Sequence, residues 1–250
     1  DRRCYEQSFY RCFGTYDGYR CNDFLSVILI NYESDKWRLT IMEKTIICIG
    51  REYGSGGRQI GQEVAKYFGI KCYDKELLEH AANDSGICKE LFEHHDEKPT
   101  NSFLYSLVMD TYSFGYSSSG FSDMPMNHKI FLAQFDAIKK LAGEGPCVMV
   151  GRCADYADWN DCFSIFVHAD LDWRINRIAS KHGKTPKEAK DMITKTDKSR
   201  ASYYNYYTNK KWGAARSYNL CIDSGKLGID YATEAIIESI KIFDRTKISK

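Results

Sequence analysis

The chain has 250 residues and a formal net charge of +1, with 43% hydrophobic and 28% charged residues. This composition excludes a largely disordered chain, and the near-zero charge gives no bulk attraction to nucleic acid or to an acidic membrane surface. The apolar run at residues 24–30 is far shorter than the roughly 20 residues of a membrane-spanning helix. We therefore expect a globular protein of one large domain, with no nucleic-acid or membrane partner.

The first 41 residues differ in sequence pattern from the rest of the chain. They carry six basic and six acidic residues and show neither a helical nor a strand period. Met42 follows, and a regular pattern begins directly after it. We predict that residues 1–41 are a non-native or poorly ordered extension that the fold does not need, with a natural N-terminal arm as the alternative. Residues 42–250 then form the domain.

From residue 45 onward, strand and helix patterns alternate. Short apolar runs typical of strands buried on both faces of a parallel sheet lie at residues 45–49, 147–150, 163–167 and 220–222. Helical patterns cover residues 58–68, 75–95, 101–112, 128–142, 171–181, 186–207 and 230–243, and residues 113–125 are a Ser- and Gly-rich loop. This alternation predicts an α/β fold in three layers, with a parallel sheet flanked by helices.

A glycine-rich loop connects the first predicted strand to the next helix. Its sequence is GREYGSGGR, from Gly50 to Arg58. Glycine lets the backbone approach a ligand closely, successive N–H groups can cradle phosphate oxygens, and the following helix adds the positive end of its dipole. The strand–loop–helix context therefore predicts a phosphate-binding loop, in which Arg58 supplies charge. A glycine-rich turn without a ligand is the alternative.

The loop departs from the GxxxxGK[ST] pattern of phosphate-binding loops. Counted from Gly50, Arg58 falls two residues beyond the expected lysine. When Gly54 and Gly56 are aligned instead, Gly57 stands at the lysine position. Gln59 follows Arg58 where a Ser or Thr would ligate Mg²⁺. The sequence therefore identifies no protein ligand for a metal ion.

The ten cysteines include no CxxC pair, so the signatures of zinc and thioredoxin-like sites are absent from the sequence. Cys48, Cys147 and Cys221 lie within apolar runs, where free cysteine behaves as a small hydrophobic residue. We expect reduced thiols and a cytoplasmic protein. The neighbouring His94 and His95 point apart on a helix and do not favour a shared metal ion.

Several segments together resemble the cytidylate kinase-like family, a branch of the P-loop nucleoside monophosphate kinases. They are REYGSGGRQIG at 51–61, YDKEL at 73–77, FEHHDEKP at 92–99, VGR at 150–152, DKSRASYY at 197–204, YYT at 206–208, WG at 212–213 and SGKLGI at 224–229. The resemblance covers about residues 43–245. It implies a P-loop NTPase fold in which residues of about 74–127 bind the acceptor and residues of about 174–212 form a lid.

The resemblance also implies a reaction. The expected activity is transfer of a phosphoryl group from ATP to a nucleoside monophosphate, most directly CMP or dCMP, with Mg²⁺ as the accompanying ion. The partners are then small-molecule nucleotides, and the resemblance leaves open whether the protein is a monomer or a homodimer. Two alternatives remain: a kinase of another small metabolite, and a nucleotide-binding sensor without turnover. The first is favoured by Cys153, which stands where the family has Asp after Gly-Arg. The second is favoured by the missing lysine.

Phosphoryl transfer depends on positioning and charge neutralisation, so a kinase needs arginines from several segments. The predicted catalytic residues are Arg58, Arg152, Arg177 and Arg200. The predicted ATP-binding residues are Gly50, Arg51, Glu52, Tyr53, Gly54, Ser55, Gly56, Gly57, Arg58 and Gln59. The resemblance assigns acceptor binding to Asp74, Arg152, Arg174, Asp197 and Arg200. Each of the charged residues outside the loop also has a simpler alternative. It is a surface charge at a strand end for Arg152, a solvated helix face for Arg174 and Arg177, a surface ion pair for Asp197 and Arg200, and a helix N-cap for Asp74.

Overall fold

The computed structural model describes residues 45–95, 97, 126–157 and 162–248. The predicted extension at 1–41, the predicted helix at 101–112 and the Ser- and Gly-rich loop at 113–125 lie outside these residues. Within them, the predicted class of fold is confirmed: helices flank a parallel sheet of five strands.

The sheet has the strand order β2-β3-β1-β4-β5, and every neighbouring pair is parallel. The strands are β1 (Ile46–Arg51), β2 (Lys71–Tyr73), β3 (Cys147–Val150), β4 (Cys162–His168) and β5 (Leu220–Asp223). Because β1 lies in the middle, its carboxyl end is flanked by those of β3 and β4. Ligands of open α/β sheets bind at this edge.

The described helices are α1 (Gly57–Phe68), α2 (Glu76–Ser85), α3 (Lys89–His95), α4 (Met126–Gly143), α5 (Leu171–His182), α6 (Pro186–Thr208) and α7 (Ser224–Ile248). The stretch predicted as helical over 75–95 forms two helices, because α2 ends at Ser85 with Gly86 as its C-cap. That glycine adopts a left-handed φ of 69° and donates its amide to Ala82 O at 3.0 Å. The last helix begins earlier than predicted and contains non-helical backbone at Gly228.

The two faces of β1 explain its uninterrupted apolar run. Ile47 and Ile49 pack in the layer with α1 and α7, together with Ile60, Val64, Ile236 and Ile240. Ile46 and Cys48 pack in the opposite layer, with Leu77, Ile138 and Leu141 from α2 and α4. Each fully buried aliphatic side chain contributes about 1.5–3 kcal/mol. The glycine-rich loop is therefore anchored to a central strand that packs on both of its faces.

The predicted lid region forms two of the helices. Helix α6 begins with Pro186 after a capping box, in which Thr185 Oγ1 accepts the amide of Glu188 and Glu188 Oε2 accepts the amide of Thr185. The 23-residue length of α6 carries its far half past the carboxyl ends of β1 and β3. No helix among the described residues is long and apolar enough to cross a membrane.

The seven cysteines in the described part of the chain are free thiols. Cys48 and Cys147 are buried as predicted, whereas Cys221 is only partly buried. Burial raises the pKa of Cys147 to about 12, so its thiol stays neutral near neutral pH. Cys48 and Cys147 therefore act as small apolar residues of the core.

Candidate functional site

The Gly50–Arg58 loop turns from β1 into α1 as the sequence predicts. Gly54 and Gly56 have φ values of 88° and 84°, a left-handed conformation that other residues rarely adopt. Gly56 is the N-cap of α1 and has no side chain with which to cap the first amides of the helix. The helix N-terminus therefore offers backbone N–H groups and a positive dipole end to an anion.

Two of the predicted acceptor-binding residues contact this loop from behind. Arg174 of α5 donates to Tyr53 O at 3.1 Å and to Asp197 Oδ2 of α6 at 2.6 Å. Asp197 Oδ1 in turn accepts the amide of Tyr53 at 2.6 Å. Arg174 and Asp197 therefore connect both lid helices to the loop backbone.

Glu52 and Ser224 hold the same loop to the ends of β4 and β5. Glu52 Oε2 accepts the amide of Ala169 at 3.1 Å and lies 3.4 Å from Arg174 Nε. The buried Ser224 Oγ lies 2.6 Å from Ser55 O and 3.0 Å from His168 O. We call the group Glu52, Tyr53, Arg174, Asp197 and Ser224 the loop buttress. Its polar atoms bind the loop backbone, the backbone at the end of β4 or each other, and we infer that it fixes the shape of the loop.

A second group of charges lies at the carboxyl ends of β1 and β3. Three arginine residues surround the carboxylate of Glu97. Arg51 Nη1 donates to Glu97 Oε1 at 2.6 Å, Arg200 Nε donates to Oε2 at 2.8 Å, and the amide of Arg152 lies 3.4 Å from Oε1. Arg200 also donates to the carbonyl of Arg51 at 3.3 Å. Segments far apart in sequence thus converge on one carboxylate.

Asp74, at the end of β2, extends this group. Arg152 Nη1 lies 2.7 Å from Asp74 O and 3.3 Å from Oδ1, and Arg58 Nε lies 2.9 Å from Oδ2. Arg58 is half exposed, and its contact to Asp74 directs it along the edge of the sheet. We call Arg51, Arg58, Asp74, Glu97, Arg152 and Arg200 the arginine edge.

The charge balance of the arginine edge is positive. Four guanidinium groups face two carboxylates. Burial would raise the pKa of Glu97, but the fields of Arg51, Arg200 and Arg152 outweigh it and hold the pKa of that carboxyl well below its ordinary value. Burial and the neighbouring Arg200 lower the pKa of Arg51, which Glu97 partly offsets. The excess positive charge suits a phosphorylated ligand.

The backbone that carries Arg152 has an unusual conformation. Gly151, Arg152 and Cys153 are left-handed in succession, with φ values of 80°, 55° and 56°. Such a run in non-glycine residues costs free energy and is found where function requires it. Cys153 is buried, and burial raises the pKa of its thiol, so it contributes no charge at the family's Asp position.

A small cavity of about 20 Å³, enough for about one water molecule, separates the arginine edge from an aromatic wall. The wall consists of Tyr203, Tyr204, Trp212 and Tyr218. Tyr204 donates to Asp155 Oδ2 at 2.6 Å and stacks on Tyr218 with ring centroids 5.8 Å apart. The tyrosines of α6 pack on Tyr218, on His128 and Phe131 of α4 and on each other, and one side of the cluster faces the charged cavity.

Arg177 lies at the end of the loop where α1 begins, away from the arginine edge. Its Nη2 donates to Gln59 Oε1 at 2.8 Å, and its guanidinium lies over the Trp173 ring at 5.5 Å. A side chain at Gly56 would come within 3.7 Å of Arg177 Nη2. Arg177 is thus beside the amides at the start of α1.

The predicted site residues therefore divide into separate groups. Arg152 and Arg200 lie together with Asp74 and Arg51, whereas Arg174 and Asp197 lie behind the loop. Sequence reasoning did not single out Glu97, although the stretch at 92–99 that contains it belongs to the family resemblance. Among the described residues, no group of three His, Cys, Asp or Glu side chains could hold a metal ion.

The central β1, its glycine-rich loop and the parallel order around it define a P-loop α/β protein of the kinase type. A sequence model of the cytidylate kinase-like family matches residues 46–226, and the chain belongs to that family. Family membership supports a kinase-type enzyme that uses a nucleotide as phosphoryl donor.

Solved structures also match the chain. An uncharacterized protein from Eubacterium ventriosum ATCC 27560 is 32% identical, with 78% of this chain and 98% of that chain covered and a TM-score of 0.59. Shikimate kinase from Bacteroides thetaiotaomicron is 13% identical, with 79% and 98% covered and a TM-score of 0.44. No curated protein sequence matches the chain.

Proposed function

We propose that the protein transfers the γ-phosphoryl group of ATP to a nucleoside monophosphate, with CMP or dCMP as the first candidates. The observation that carries this proposal is the pairing of the Arg51 and Arg200 guanidinium groups with the Glu97 carboxylate beside the phosphate-binding loop, where the backbone amide of Arg152 lies 3.4 Å from the same carboxylate. Carboxylate and phosphate oxygens are recognised by the same guanidinium geometry. Arginines gathered in this way favour a second anion next to the donor phosphates.

In this proposal the loop amides and Arg177 hold the phosphates of ATP, and Arg152 and Arg200 hold the phosphate of the acceptor. An acceptor phosphate oxygen attacks the γ-phosphorus, a new P–O bond forms, and the bond to the leaving ADP breaks. Protein side chains form no covalent bond in this step. Their contribution is positioning and neutralisation of the charge on the transferred group.

Two contacts support a division between donor and acceptor. Arg200 comes from α6 and reaches both Glu97 and the carbonyl of Arg51, so it can follow movement of that helix. Arg152 is fixed by β3 and by its bonds to Asp74. A fixed and a helix-borne arginine together suit an acceptor that is enclosed before transfer, because exclusion of water strengthens each charge contact and limits hydrolysis of ATP.

The neutral Cys153 beside Arg152 favours one alternative, a kinase of another phosphorylated metabolite. The site then uses the same arginines, while the rest of the acceptor contacts residues other than the family's Asp.

The test is an ADP-release assay over nucleoside monophosphates and small metabolites, with Arg245→Ala, an exposed arginine at the end of α7, as the matched control. Rapid release with CMP or dCMP and slow release with the others supports the proposal. Release with another acceptor supports the metabolite kinase. ATP binding without release for every acceptor supports the sensor and overturns both kinases.

A further inference from the structure

The phosphate-binding loop has a glycine where its lysine should be. Gly57 is the first residue of α1, and its backbone is in the ordinary helical region, so no left-handed conformation demands a glycine there. A Cβ atom at this position would lie 2.6 Å from Arg51 Cβ and 3.3 Å from Arg51 Cγ. The space in which a lysine side chain would begin is therefore filled by the stem of Arg51.

The other end of the Arg51 side chain meets a second glycine. A Cβ atom at Gly151 would overlap Arg51 Nη1 and would lie 2.5 Å from Glu97 Oε1. Arg51 therefore runs from the start of α1 to the end of β3, with a glycine making room at each end. It is 9% exposed, and its charge points into the cavity beside Arg152 and Arg200.

We propose that Arg51 performs the task of the missing loop lysine, with its guanidinium on the transferred phosphoryl group between donor and acceptor. The inference rests on the proposed function and deepens it. The positive charge comes from Arg51 at the beginning of the loop, and the absence of a side chain at Gly57 leaves room for the Arg51 side chain. The forked guanidinium can contact two phosphate oxygens at once, which an ammonium group cannot do in the same planar geometry.

Other cations of the loop are less suited to this position. Arg58 is bonded through Nε to Asp74 and is half exposed. Arg177 bonds Gln59 on the far side of the loop. Arg51 alone among these three is enclosed at the junction of β1 and β3, where donor and acceptor sites meet.

The decisive experiment moves the positive charge from position 51 to position 57. Gly57→Ala and Gly57→Lys should each lower kcat by on the order of a hundredfold, as loss of a transition-state charge contact does, because the new Cβ displaces Arg51. The double variant Arg51→Gly/Gly57→Lys opens that space and returns a cation from the usual side. Its kcat should be at least about tenfold higher than that of Gly57→Lys, which corresponds to one charge-assisted contact. Gly143→Ala is the control, since its added Cβ meets no atom within 4 Å.

A purely structural role for Arg51 predicts no recovery, since removing a second structural residue would only add damage. A folded double variant that is no faster than Gly57→Lys would overturn the proposal, as would an Arg51→Ala variant that keeps kcat within about threefold of the wild type, far less than the loss of a transition-state contact. If the double variant does not fold, as judged by its melting curve, Arg51→Ala and Arg51→Lys decide. Arg51→Lys should retain more activity than Arg51→Ala, and equal activity would overturn the proposal.

A second measurement distinguishes failure of the proposed function from failure of the role proposed for Arg51. It is titration calorimetry with inorganic tripolyphosphate, which needs no acceptor and no turnover. Arg51→Ala should bind it roughly tenfold more weakly or worse, the scale of a lost hydrogen bond to a charged group. Unchanged affinity would remove Arg51 from the phosphate site even if the wild type transfers phosphate. Weakened affinity in a protein that transfers nothing would overturn the proposed function and keep Arg51 as the cation of the loop.

Discussion

The loop buttress and the arginine edge are built from the same kinds of side chain and differ in what those side chains bind. In the buttress, Arg174 donates to the backbone carbonyls of Ala169 and Tyr53 as well as to Asp197. In the arginine edge, Arg51 and Arg200 direct their charge toward a carboxylate at the wall of a cavity. We infer that Arg174, which bonds the loop backbone and the loop's own partner Asp197, shapes the site, whereas Arg51 and Arg200, which are paired with a carboxylate at a cavity wall, can bind a ligand.

This contrast predicts that changes in the buttress act first on stability. Arg174→Ala should lower the free energy of unfolding by about 3–5 kcal/mol, because it leaves the mostly buried Asp197 without its partner. Urea denaturation of the variant measures the loss. Lys181→Ala, an exposed residue on the same helix, is the control. A loss below about 1 kcal/mol, the range of a surface ion pair, would mean that the buttress does not hold the loop.

Changes in the arginine edge should act on turnover. Arg200→Ala removes a charge expected on the acceptor phosphate, so acceptor-dependent kcat should fall by on the order of a hundredfold, which is about 2.7 kcal/mol. The affinity for ATP should stay nearly unchanged. Steady-state kinetics with ATP and acceptor varied separately measures both. A variant that loses affinity for ATP and keeps its acceptor-dependent kcat and its acceptor KM would contradict the division between donor and acceptor sites.

A milder change in the buttress sharpens the same comparison. Ser224→Ala removes the buried hydroxyl beside Ser55 O and His168 O and should cost about 1–3 kcal/mol of stability, since a buried carbonyl loses its donor. Ser239→Ala, which removes an exposed hydroxyl from the same helix, should change stability by less than about 0.5 kcal/mol. Thermal melting of the two variants gives the comparison. Equal losses would show that the Ser224 contact is no stronger than a surface one.

The pH dependence of stability isolates Glu97. Its folded pKa is depressed, so its contribution is present above the unfolded value of about 4.3 and is lost as the pH falls through the folded pKa. The wild type should therefore lose stability below about pH 4.3 with an extra slope of up to about 1.4 kcal/mol per pH unit. Glu97→Gln should lack that slope. Parallel curves for the two proteins from pH 5 to pH 3 would exclude the pairing with the arginines.

Much of the fold follows from local sequence. The apolar run of β1 and the glycines after it predict the position of the loop correctly. A strand buried on both faces requires consecutive apolar residues, and left-handed backbone favours glycine. The helical pattern over 75–95 does not show where α2 ends and α3 begins, which is set by the left-handed backbone of Gly86. Polar residues on both sides of that glycine continue the helical pattern.

The grouping of the charged residues could be predicted only in part. The convergence of Arg152 and Arg200 follows from a strand end and a lid helix, and the structure brings both to one carboxylate. The roles of Glu97 and of the Gly57 position depend on contacts between residues far apart in the chain. Arg174 and Asp197 look like ligand-binding residues in sequence, and their bonds to the loop backbone appear only in three dimensions.

The most direct test of the two-part site is titration calorimetry of the wild type and of Arg152→Ala with two ligands, CMP and a non-hydrolysable ATP analogue. Arg152→Ala should weaken CMP binding roughly tenfold or more, the scale of a lost hydrogen bond to a charged group, and should leave the affinity for the ATP analogue within about twofold. Weakened binding of the ATP analogue with unchanged binding of CMP would contradict the account, because Arg152 would then belong to the donor site.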